Sequence, residues 1–145
     1  MSLDTAKAFI EKELGYSDGI ELIKKTTKEA IVFDEKETSH IFTFGNPNTA
    51  IKAELTISDP LYFCNLSLIK NKENFFSLTD YLNEIESDKE LTVLLDRFYD
   101  EEIDATEYTI LFLKAVKRHL SRPELLEILN GKKWWTTGLG HPNAQ

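Results

Sequence analysis

Cysteine is almost missing from this chain of 145 residues: Cys64 stands alone. One thiol cannot close an internal disulfide, and it argues against a thiolate metal cluster. Apolar runs are short, and none approaches the roughly 20 residues of a transmembrane helix. The opening Met1-Ser2-Leu3-Asp4-Thr5 lacks the basic start and apolar centre of a signal peptide, so a cytoplasmic location is expected. Reaction signatures are missing too. There is no Gly-x-Ser-x-Gly, no glycine-rich phosphate loop, and no metal-ligand spacing among His40, His119 and His141. Gly138-Leu139-Gly140 is only a fragment of a phosphate loop and does not follow a strand. Basic charge is the minority: 17 Lys and Arg against 25 Asp and Glu leave a net −8. That sign speaks against nucleic acid or an anionic membrane as a partner, and in favour of a basic protein.

What is present is enough apolar material for a core. Hydrophobic residues make up 41% of the chain and aromatic residues 11%, which suits one globular domain over residues 1–145. The acid is concentrated. Residues 73–107 hold twelve acidic side chains against two basic ones, whereas residues 108–145 hold two against six.

The period of the apolar residues changes twice. Over 4–14 it is helical, with Leu3, Ala6, Ile10 and Leu14 on one face and Gly15 as the stop. Over 20–70 it alternates, which predicts a sheet. Five strand stretches are expected, at 20–25, 30–35, 40–44, 50–58 and 61–70. In the last, Asn65, Ser67 and Lys70 are read as solvated. The links at 35–39, 45–48 and 58–60 are short, so the strands form an antiparallel meander and not parallel crossovers. Over 77–130 the helical period returns, with helices opening at Ser77, Ser87, Asp104 and Pro123. The longest runs from Asp104 to Leu120. Asp104 is a good N-cap, Glu107 stands at capping-box distance, and two adjacent apolar stripes follow, one of them including Leu111 and Phe112. Residues 132–145 form a tail that carries both tryptophans. The expectation is an α+β fold, with about four helices packed on one face of the sheet.

Each candidate site has a plain structural alternative. Cys64 alternates with Tyr62 and Leu66, as a small core residue does. His119 sits where a helix C-terminus favours a cation. Lys114, Lys117, Arg118, Arg122, Lys132 and Lys133, with Trp134 and Trp135, make either a basic aromatic surface or a helix end complemented by cations that also pair with the acidic stretch of the same chain. Asp96, Asp100, Glu101, Glu102 and Asp104 lack the alternation and central glycine of a calcium loop, so no metal and no cofactor is expected. These five acids, with Trp134 and Trp135, are the residues expected to meet a partner.

Small size, acidity and the missing catalytic motifs point to a protein-binding module rather than an enzyme. The composition fits a bacterial toxin-neutralising immunity protein that binds a basic partner. It also fits a small acidic secretion chaperone, with a homodimer possible. The other class is an enzyme or small-ligand binder with a pocket between sheet and helices.

Overall fold

The computed structural model describes residues 3–16, 19–61, 63–70, 73–77, 90–120 and 122–132. The chain opens with helix α1, Leu3–Ala8, which continues as a π-helical turn, Phe9–Glu13. Ala6, Ile10 and Leu14, four residues apart, are all fully buried. Tyr16 anchors the exit: its hydroxyl donates to the Ile10 carbonyl at 2.9 Å, and its ring lies 5.4 Å from that of Phe44.

An antiparallel meander follows, with β1 (Glu21–Val32), β2 (Glu35–Gly45), β3 (Ile51–Asp59), β4 (Cys64–Lys70) and β5 (Glu73–Ser77) side by side in chain order. The stretches expected as separate strands at 20–25 and 30–35 prove to belong to one strand and its turn. β1 runs unbroken to Val32, and the chain reverses at Phe33-Asp34. The polar residues 35–39, expected as a turn, are the first half of β2. Glu35 and Lys36 are exposed and Glu37, Thr38 and Ser39 half-buried, so their polarity reflects contact with solvent along a strand and not a turn. The five expected stretches therefore make four strands. The fifth strand, β5, was not anticipated: its pairing with β4 carries an irregularity between Leu68 and Ile69, which breaks simple alternation. Leu61 belongs to the β3–β4 turn with the cis Asp59–Pro60 peptide, and Ser67 is buried rather than solvated, its hydroxyl bonded by the Asn65 amide at 3.0 Å.

Side-chain alternation puts Phe42, Phe44, Ala53, Leu55, Ile57, Leu66 and Leu68 into one core. Opposite them lie α2 (Glu90–Tyr99), α3 (Ala105–Leu120) and α4 (Pro123–Leu129). The helix expected to open at Ser77 falls outside the described residues after Ser77 itself, which ends β5. The start expected at Ser87 also lies outside them. α3 begins as its sequence requires: the Asp104 carboxylate accepts the Glu107 amide at 2.7 Å. Phe112 and Leu113 are fully buried, but Leu111 is only partly buried and packs at the margin. The neighbouring stripe, Leu113, Val116 and Leu120, lies deeper. Among the described residues no helix is long and apolar enough to cross a membrane.

The core helix α3 has two distinct ends. Its last turns lie near the start of the chain, where Lys117 Nζ stands 5.9 Å over the Phe9 ring. Beyond it, α4 meets the β2–β3 turn: Thr49 Oγ1 donates to the Leu129 carbonyl at 2.7 Å, and Asn46 Nδ2 to Asn130 Oδ1 at 2.8 Å. The first turn of α3 lies at the other end of the sheet. There the Thr109 hydroxyl, which donates to the Ala105 carbonyl at 2.8 Å, lies beside the Cys64 thiol, and Cys64 pairs in register with Ile57, which pairs with His40.

Candidate partner-binding site

At that second end α2 hands over to α3 through Asp100-Glu101-Glu102-Ile103. The Glu102 amide donates to the Arg97 carbonyl at 2.9 Å and the Glu101 amide to the Phe98 carbonyl at 3.1 Å. Glu101 between them has φ 61. This is a Schellman closure, whose left-handed position normally holds glycine. α4 ends in the same way, with Lys132 bonded to Glu127 at 2.9 Å and Gly131 to Ile128 at 3.1 Å, and there the left-handed residue is indeed Gly131. Ile103 is buried, and the Phe98 ring stacks on Tyr108 at 5.1 Å, so the corner is pinned from beneath.

The structure brings together the five acids singled out from the sequence. Asp96, Asp100, Glu101, Glu102 and Asp104 are all exposed within one helix end and the next cap. Asp104 caps α3. Glu102 stands 3.6 Å from Arg97 Nε. The others sit where carboxylates are disfavoured. Asp96 and Asp100 are like charges four residues apart, and Asp100 and Glu101 face the negative end of the α2 dipole. In their midst Tyr99 is 71% exposed, its ring 5.9 Å from Phe98. Sequence reasoning passed over Tyr99, although a signal was there: it falls off the Leu91, Leu94, Leu95, Phe98 stripe. Trp134 and Trp135, chosen instead, lie outside the described residues, as does Lys133. A shallow hollow of about 440 Å³ runs between Phe98 and Glu107 along the corner.

The remaining candidates are quieter. Burial pushes the Cys64 thiol up to about 12, against a smaller opposing effect of the neighbouring Thr109 hydroxyl, so little thiolate forms at neutral pH. His40 is 9% exposed, and its Nε2 has no hydrogen-bond partner. Burial first, and then Lys7, hold it below the ordinary histidine range, with Asp59 opposing. It lines a hollow of about 180 Å³ whose carboxylate, Glu11, is already paired with Lys25 at 2.9 Å. His119 is buried in the last turn of α3, and His141 lies outside the described residues. Of the basic surface, Lys117 stands over Phe9 and Lys132 pairs with Glu127 at 3.3 Å. Among the described residues no three His, Cys, Asp or Glu side chains are grouped to hold a metal ion. Compared with protein-family models, with curated proteins and with solved structures, the chain matches none.

Proposed function

We propose that this chain is a small protein-binding module that recognises a basic partner protein through the α2–α3 corner, in the manner of a toxin-neutralising immunity protein. The observation that carries the reading is the placement of the acids. Asp96, Asp100 and Glu101 lie at the wrong end of a helix dipole, Glu101 occupies a glycine position, and an exposed Tyr99 stands among them. None of these choices serves stability. Together they suit recognition, in which clustered acids speed the encounter with a basic surface and a desolvated tyrosine slows escape.

The test is affinity isolation of partners from the native host, followed by binding kinetics at two salt concentrations. Glu101→Lys with Glu102→Lys should lower the association rate, and the loss should shrink at high salt. Tyr99→Ala should act on dissociation instead. Recovery of no protein partner, or of one indifferent to these changes at both salt concentrations, would remove the reading.

A further inference from the structure

We propose that the β1–β2 hairpin tip is a second contact element, with Phe33 inserting into an apolar pocket rimmed by lysine or arginine on a protein partner. This rests on the partner-binding reading and extends it to another part of the chain.

The turn itself is the first observation. Val32 pairs with Glu35, so Phe33 and Asp34 form a two-residue loop, and their φ angles are 51° and 65°. Two positive φ angles are those of a type I′ turn, which favours Asn-Gly. A phenylalanine is strained there, because its Cβ crowds the backbone in the left-handed region. The strain purchases no internal contact: Phe33 is 95% exposed, and Ile31 beside it is 71% exposed. An apolar group that is both strained and bare at the tip of an arm has no role in the fold.

Charge decides what could cover it. Around the tip stand Glu29, Asp34, Glu35, Glu37 and Asp59, against Lys28 and Lys36, and Lys36 is already paired with Glu29 at 3.0 Å. An anionic membrane would be repelled. A second copy would set one acidic rim against another. A basic-rimmed apolar pocket complements both the centre and the rim. Alongside the tip a hollow of about 340 Å³ is lined by Val32, Phe33, Glu35, Lys36, Glu37 and Pro60, giving the partner's edge somewhere to sit.

Position ties the tip to the acidic corner. Thr38 of β2 pairs with Asp59, and two rows further in, His40–Ile57–Cys64 meets Thr109 near the start of α3. The hairpin tip, the β3–β4 turn with half-exposed Phe63, and the α2–α3 corner therefore share one end of the sheet. The β2–β3 turn and the end of α4 lie at the other.

The experiment uses the full chain with Phe33 replaced by photoreactive p-benzoylphenylalanine, and a control carrying the same group at exposed Asn48. Irradiation in host cells should join position 33, and not position 48, to a protein. The adduct should map to apolar residues flanked by lysine or arginine. With that protein purified, Phe33→Asn should raise the dissociation rate about thirtyfold or more, as loss of an anchor does. Asparagine is favoured in this turn, so the melting temperature should hold or rise, which separates lost contact from lost fold. A partner whose association depends on Glu101 and Glu102 but whose dissociation changes less than about twofold in Phe33→Asn overturns the tip and spares the corner. Adducts to lipid or to a second copy overturn it as well. A chain that binds no protein removes both.

Discussion

Replacing Glu101 by glycine should make this protein more stable while making it a slower binder. Glu101 holds φ 61 at the end of α2, and the bonds from the Glu101 and Glu102 amides, at 3.1 and 2.9 Å, lock it there. A side chain in the left-handed region costs about 1–2 kcal/mol. Glycine removes that cost but loosens the unfolded chain, which returns about 0.4–1 kcal/mol. Removing a carboxylate from the negative end of the α2 dipole adds a few tenths. The balance is a gain of about 1 kcal/mol, or about 3 °C in melting temperature for a chain of this size. Urea unfolding should show a higher midpoint at unchanged slope. Glu101→Ala is the comparison, since it removes the same charge but keeps the left-handed cost. If Glu101→Gly is no more stable than Glu101→Ala, the corner is not strained, and the argument that its acid is retained for recognition loses its footing. α4 supplies the internal precedent, because it makes the same closure with Gly131.

Two further outcomes test the interior. Phe112→Ala, at a fully buried position, should cost roughly 3–5 kcal/mol in denaturant melts, and Leu111→Ala less than half as much; equal costs would mean that the face of α3 is misassigned. His40 is held below its ordinary pKa in the folded state, so the unfolded chain binds the extra proton as acid is added. Its contribution should be intact above about pH 6.5 and fade as the pH falls from there towards the folded value. The urea midpoint of His40→Leu should accordingly fall less between pH 7 and 5 than that of the wild type; parallel slopes would refute it.

The sequence reveals most where one physical cause dominates. Asp104 and Glu107, followed by two apolar stripes, mark α3 because the cap and the burial agree, and strict alternation from Ile51 to Ile57 marks β3 for the same reason. The α+β class follows from those periods. It is hidden where two causes produce one pattern. Residues 35–39 are polar from exposed and half-buried places along a strand, and polarity from solvent contact looks the same as polarity from a turn. The true turn, Phe33-Asp34, carries no glycine or asparagine, and Asp34 is its one turn-forming residue, too weak a signal beside phenylalanine to mark it. At the corner the cluster of acids was legible by composition. Its left-handed closure was not, because the residue that usually announces one is a glutamate here.

β1 also explains how such a sheet stays out of other sheets. It lies at one margin of the strand order, and among the described residues nothing pairs with its outer edge. On a strand of twelve residues, every second residue turns its backbone donor and acceptor outward, and such an edge would be an open invitation to strand addition. Lys24, Lys25 and Lys28 stand along that edge, and the irregularity between Leu22 and Lys24 twists its beginning. Lys25 is paired with Glu11 at 2.9 Å, so Lys24 and Lys28 are the guard against fibre-like stacking in a chain with an excess of acid. Their loss would first be seen as slow, concentration-dependent self-association of a protein that is still folded.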